Sequence, residues 1–479
     1  MPRTRASSAW AFAITAIALF MVSLDNLVVT TALPVIRRDL GSSLQDLEWM
    51  VNAYTLTFAV LLLTGAALGD RFGRRRLFVM GLMIFTAGSA AAALAPTSSA
   101  LIAARAVQGL GGAIVIPLTL TILSASVAPD RRALALGAWG GIGGLAIAVG
   151  PLVGGAIAQG VNWHWIFWLN VPVGIVAVAL ATLRLQETRG PEGRLDLAGL
   201  AFASGGLLGL VWAVIHGNDM GWTNPQIVGA FVVGTVLLVL FVAWERRTAN
   251  PMLPLHMFRS RAFAAANTVS LLMYFGMFGS IFLLSQFFQV VQGLNPFEAG
   301  LRVLPWTAMP AVVAPIAGLL AGRIGSRPIL VPGLALMAIG LAWLAAISSP
   351  TVPYVEMVPA FVVSGIGMGM FFAPIANVVL SSVYPEEEGK ASGANNAIRE
   401  VGGVFGVAVL ASIFSASGSY ASPQAYVDGL IPAVWAGAAV VAVAAVVALA
   451  IPARVAAGIH RPVRVPGLAG ARSDAELAD

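Results

Sequence analysis

Residues Gly65–Arg75 read GAALGDRFGRR, and 252 positions further on Ala317–Arg327 read AGLLAGRIGSR. Arg71, Gly73 and Arg75 recur as Arg323, Gly325 and Arg327, each set closing one apolar run and opening the next. A duplicated basic turn between apolar segments implies a chain built from two related halves. Parallel repeats of apolar helices with a substrate site between them near the bilayer midplane are an architecture of transporters.

Outward from these turns, apolar runs bounded by charge, Pro or Gly predict helices at about Ala9–Leu33, Trp49–Gly69, Leu77–Leu94, Leu101–Ser124, Leu136–Ala158 and Trp165–Leu185. Two more follow at about Leu197–Ile215 and Ile227–Trp244. The last six are Phe263–Val291, Leu301–Leu320, Ile329–Ile347, Val355–Val383, Asn395–Ser415 and Leu430–Ile451. Each is close to the roughly 20 residues that span hydrocarbon as a helix, the form in which a lone segment bonds its own backbone. The second copy of the turn follows the tenth run, where a plain repeat of six would place it after the eighth. The expectation is therefore an all-α integral membrane protein of fourteen transmembrane helices in a 6+2+6 order. Residues 9–185 form an N-terminal six-helix bundle, 186–262 hold two inserted helices with flanking loops, and 263–453 form a C-terminal six-helix bundle. The tail 454–479, rich in Pro and Gly, is expected to be cytoplasmic and disordered.

Composition agrees: 58% of residues are hydrophobic, only 10% are charged, and the mean hydropathy is +0.88. Lys and Arg divide unevenly between alternate loops. Twenty-three fall on the N-terminal side, from Arg3 and Arg5 through Arg71–Arg76 to Lys390, Arg399 and the tail, and only Arg37, Arg38 and Arg302 on the other. The positive-inside rule then places both termini in the cytoplasm. The net charge of +6 is accounted for by topology, and no nucleic-acid partner is implied. Arg3 and Arg5 before an apolar run imitate a signal peptide, but Asp25 interrupts that run, which reads as a retained first helix.

Several chemistries are excluded. There is no cysteine, hence no disulfide, thiolate metal site or cysteine nucleophile, and four scattered histidines build no zinc cluster. No GxxxxGK[ST] loop occurs, so ATP drive is disfavoured, and no catalytic cluster points to an enzyme. No cofactor is expected, and a proton gradient is the expected energy source.

The informative residues are the charges inside the apolar runs. Asp25 has Met21, Val22, Val28 and Val29 as helical neighbours, and Arg105 stands inside the fourth run at comparable depth. Both are costly in lipid and face the interior by default. They are the candidate proton-coupling pair, Asp25 carrying the proton and Arg105 tuning its release. In the loop after the second run, Asp70 with Arg71, Gly73, Arg74 and Arg75 forms a candidate conformational switch, Gly73 permitting the turn and the charges a breakable network. Gly137, Gly150, Pro151, Gly154 and Gly155 in the fifth run suit a close-packing seam and a bending point, and plain packing explains the glycines equally well. Asn26, Gln108, Gln286, Gln289, Asn377 and Glu400 are candidate cavity residues, with packing as the competing reading.

The stretches Gly69–Arg76, Arg105–Gly109 and Gly150–Gly155 resemble signatures of the major facilitator superfamily. Leu24-Asp25 with Ala32-Leu33-Pro34, Trp163–Phe167 with Asn170-Val171-Pro172, and Pro254–Phe258 resemble those of its fourteen-helix drug:proton antiporters. Leu27, Thr30 and His164 depart from that pattern, which bears on substrate preference. The resemblance implies a proton-coupled exporter of hydrophobic, drug-like or antibiotic compounds by alternating access, monomeric and multi-pass in the cytoplasmic membrane. The alternatives are uptake or dedicated metabolite transport on the same scaffold, or a sensor or scaffold that transports nothing.

Overall fold

A computed structural model describes residues 5–127, 129–189, 195–249, 251–384 and 387–452. The tail 454–479 lies outside the described residues, as do the side chains of Asn26 and Gly137. Every element is helical among the described residues: α1 (Arg5–Leu40), α2 (Leu44–Phe72), α3 (Arg74–Ala93), α4 (Ser98–Ser126), α5 (Pro129–Gly160), α6 (His164–Arg184), α7 (Leu197–Met220), α8 (Pro225–Glu245), a 3-10 turn (Leu255–Arg259), α9 (Arg261–Val290), α10 (Pro296–Ile324), α11 (Arg327–Ile347), α12 (Tyr354–Ser381), α13 (Glu388–Ser417) and α14 (Pro423–Ala448). Short breaks at Leu169 and Ala308 interrupt α6 and α10. Thirteen of the described helices are long and apolar enough to cross a membrane; α5, of 32 residues, occupies the fifth place.

The helices are longer than the apolar runs because their caps are polar. α2 starts in a capping box, Ser43 accepting from the Asp46 N–H and the Asp46 side chain from the Ser43 N–H, so Glu48 falls inside the helix. α1 continues to Leu40 and carries Arg37 and Arg38 in its last turn. α13 begins at Glu388 instead of Asn395, and this corrects the charge tally. Arg399 is no loop residue; it lies well inside α13, partly buried against Tyr274.

Packing repeats across the chain. α2 and α3 pack on α4, and α1 on α5; in the same manner α10 and α11 pack on α12, and α9 on α13. The two sets meet reciprocally, α2 on α13 and α10 on α5. Both duplicated turns hold a glycine in the left-handed region, Gly73 at φ 111 and Gly325 at φ 93. The pair α7–α8 stands apart. α7 packs on α2 and α13, tied by Asn218 Nδ2 donating to Ser415 Oγ at 2.7 Å, whereas α8 leans on α7 and exposes Val228, Val232, Val236 and Val239.

We call the side on which α1 starts the near face and the side on which it ends the far face. At the far face the two sets touch directly. Gln289 Nε2 of α9 donates to the Thr31 carbonyl of α1 at 2.7 Å, and the Arg37 guanidinium lies 3.7 Å over the Tyr420 ring. Gly155 and Gly300 complete this closure. A Cβ on Gly155 would lie 2.2 Å from the Pro296 carbonyl oxygen, and one on Gly300 2.4 Å from that of Pro151.

Candidate functional site

Asp25 is buried on α1, its side chain wholly out of solvent contact. Apolar neighbours along its own helix would leave a carboxylate unsatisfied, so its partners come from elsewhere. Arg105 Nη1 of α4 donates to Oδ2. Asn170 Nδ2 at the break in α6 donates to Oδ1 at 2.7 Å, and Gln108 Nε2 to the same oxygen at 3.2 Å. Ser89 Oγ of α3 accepts from Gln108 Nε2 at 2.7 Å. Three helices, α1, α4 and α6, thus meet at one carboxyl, and α3 supports them through Ser89.

Arg105 is held just as closely. Its Nε donates to the Met50 carbonyl of α2 at 3.1 Å, its Nη1 also reaches Gln108 Oε1 at 3.1 Å, and its guanidinium lies 4.3 Å over the Tyr54 ring. Tyr54 in turn donates to the Val22 carbonyl at 3.2 Å, one turn before Asp25. Nη2 of Arg105 is buried without a hydrogen-bond partner among the described residues. All these groups sit in α1–α6. A buried pair of this kind is strongly destabilising to break one-sidedly, by about 3–5 kcal/mol, so loss or gain of one charge reorganises the set.

The other expected residues divide. Gln286 and Gln289 belong to the far-face closure: Tyr420 Oη donates to Gln286 Oε1 at 2.7 Å, and Gln289 reaches Thr31. Glu400 lies between the two sets, close enough for its charge to act on Tyr54 of α2 and Tyr274 of α9. Asn377 is exposed on α12 and joins neither group. Gly150 faces Leu27 and Gly154 faces the Val28 backbone, so one helix-five stripe packs on α1 beside Asp25 while Gly155 packs on α10.

At the near face, Arg74 is bonded to Asp70 at 2.8 Å, but the wider network involves a residue that sequence reasoning missed. Glu187, just after α6, accepts from the backbone N–H groups of Arg75 at 3.0 Å and Arg76 at 3.2 Å. A carboxylate there complements the unpaired N–H groups and positive end of α3. The Arg75 side chain also donates to the Leu185 carbonyl at 3.3 Å, whereas Arg71 is exposed beside Phe72. Ser89, Asn170 and Tyr54 were missed as well. Asn170 stood in a quoted motif, and its place at the entrance of an apolar run was the available signal.

A second polar cluster lies in the later set. Asn395 of α13 donates to Asn267 Oδ1 at 3.1 Å and Ser270 Oγ at 3.0 Å, and Arg399 donates to Tyr274 Oη and to Asn396 Oδ1.

A bundle of apolar membrane-spanning helices in two reciprocally packed sets, with a buried ion pair inside the first of them, is an architecture of membrane transporters. The Major Facilitator Superfamily family model matches residues 15–407 and, again, 266–467, and the chain belongs to that superfamily. It is a multi-pass protein of the cell membrane. It is 33% identical over 421 residues to the Tetracenomycin C resistance and export protein of Streptomyces glaucescens, covering 88% of this chain and 78% of that protein. It is 36% identical over 404 residues to the Multidrug resistance protein Stp of Mycobacterium tuberculosis, covering 84% and 75%. Among solved structures it is similar in fold to the peptide transporter POT in complex with sulfate, with a TM-score of 0.67 at 16% identity, covering 93% and 94%.

Proposed function

We propose that the protein is a proton-driven exporter of hydrophobic, drug-like or antibiotic compounds, with fourteen spans in a 6+2+6 order and both termini in the cytoplasm. The near face is then cytoplasmic, the far face external, and the two six-helix halves rock about the space between them. The protein acts as a monomer without a cofactor and carries out no enzymatic step.

The observation that carries this reading is the Asp25–Arg105 pair, whose partners all lie in one half. With Asp25 ionised, Arg105, Asn170 and Gln108 hold it. A proton on Asp25 removes the negative charge that Arg105 answers, and the guanidinium is released toward Gln108 and Tyr54. Proton and substrate then favour different states, each by its differential affinity for the two. The relatives named as resistance and export proteins support the direction of transport and the substrate class.

In proteoliposomes with an imposed pH gradient, Asp25→Asn is expected to abolish gradient-driven transport of a hydrophobic fluorescent dye while the helical content stays at the parent level. Undiminished gradient-driven transport would overturn the assignment.

A further inference from the structure

The far end of α2 carries a buried acid that the Asp25 site does not use. Glu48 is 2% exposed and its Oε2 has no hydrogen-bond partner among the described residues. One turn on, at the spacing that puts two side chains on one helix face, Asn52 is 0% exposed and both its Oδ1 and its Nδ2 lack partners. Buried polar groups are ordinarily satisfied, and exceptions ask for a reason.

No arginine or lysine pairs with Glu48 among the described residues. The nearby charge is of the same sign: Asp219, at the end of the inserted helix α7, acts on Glu48 and is itself bound by Gln45 Nε2 of α2. The charge of Glu48 is also felt at Tyr420, in the connection between α13 and α14. Of the basic residues on this side, Arg37 lies over the Tyr420 ring, Arg302 lies over the Tyr354 ring, and Arg38 is exposed. Glu48 therefore lies where α2 meets α7 and the Tyr420 connection, with Asn52 one turn deeper along α2, on the side that the exporter reading assigns to release.

We infer that Glu48 and Asn52, with Asp219 contributing long-range negative charge, form an exit-side station for the cationic group of a substrate. A carboxylate and an amide oxygen suit a protonated amine or a delocalised organic cation; the Asn52 Nδ2 can donate to a neutral acceptor on the same molecule, and the negative charge of Glu48 and Asp219 disfavours an anion. The site also gives the inserted pair a role, since α7 supplies Asp219. This inference rests on the exporter reading and narrows its substrates to a class that includes monovalent organic cations.

The test compares a permanent cation, ethidium, with a neutral dye, Nile red, in efflux-deficient cells expressing the intact chain. Glu48→Gln is expected to slow ethidium efflux about tenfold, as loss of one charge-assisted contact implies, while Nile red efflux stays within about twofold. Asp219→Asn, at an exposed residue, is expected to weaken ethidium efflux in the same direction by a smaller factor and serves if Glu48→Gln does not fold. Equal losses for both dyes, or no loss for ethidium, overturn the station and leave the exporter reading standing. Efflux of neither dye by the parent protein counts against the exporter reading. In that case ethidium binding to the purified protein in lipid nanodiscs decides the station, which predicts weaker binding by both variants and is overturned by unchanged binding.

Discussion

Asn170 donates an amide hydrogen to Oδ1 of Asp25 across 2.7 Å, from the point where α6 is broken by Leu169. The contact ties the Asp25 carboxyl to a helix that packs on α3, away from the other half. A hydrogen bond to a charged group contributes about 1.5–3 kcal/mol, so Asn170→Ala is expected to slow gradient-driven dye transport about tenfold or more with helical content preserved. Transport rates in proteoliposomes check this; a rate within twofold of the parent's would show the contact to be incidental.

Arg105 answers Asp25 and Gln108 from Nη1 and the Met50 carbonyl from Nε, a spread of donors over separate nitrogens of a planar fork that the single nitrogen of an ammonium does not reproduce. Arg105→Lys is expected to lose most coupled transport. Arg105→Leu leaves a buried carboxylate unanswered and is expected to cost about 3–5 kcal/mol, visible as a lower thermal midpoint in detergent. Asp25→Leu combined with Arg105→Leu is expected to recover part of that midpoint without recovering transport.

Gly73 combines two demands, a φ of 111 and a position where a Cβ would lie 2.8 Å from the Glu187 carboxyl carbon. Gly73→Ala is expected to lower the thermal midpoint and slow transport, the left-handed backbone alone costing about 1–2 kcal/mol. Adding Glu187→Ala relieves the clash but removes the anchor of α3, about 1 kcal/mol by analogy with a lost cap, so the double variant should not return to the parent midpoint.

Gly155→Val places a branched side chain against the Pro296 carbonyl and is expected to hold the far face apart. The chain has no cysteine, so a single Thr30→Cys, at a residue buried at this closure, can be read without background. Labelling of that cysteine by an impermeant maleimide from outside is expected to be several-fold faster with Gly155→Val than without it. An unchanged rate would show that the glycine serves packing alone.

Sequence made Asp25 and Arg105 visible because charge inside an apolar run is rare enough to stand out. Ser89, Asn170 and Tyr54 carry no formal charge, and only the folded chain brings Asn170 to the Asp25 carboxyl, Ser89 to Gln108 and Tyr54 under the Arg105 guanidinium. Glu187 was hidden for the opposite reason, as one charge among many in a polar connection. Glu48 was lost to a boundary: hydropathy starts the second helix at Trp49, while the Ser43–Asp46 box starts it at Leu44. By the same effect the apolar pattern starts α13 at Asn395, whereas polar residues extend it back to Glu388. Hydropathy therefore locates the middle of a helix, and capping chemistry locates its ends.

The reciprocal seating of Gly155 under the Pro296 carbonyl and Gly300 under that of Pro151 has a mechanical corollary. Nothing ionic is severed when that seam parts; the adhesion is dispersion spread over matched backbone, many weak contacts instead of one strong one. The contacts around Asp70, Arg74 and Glu187 are charged and stand at the aqueous border. Ionic strength therefore acts on the charged contacts at the aqueous border of the near face and leaves the glycine seam itself untouched.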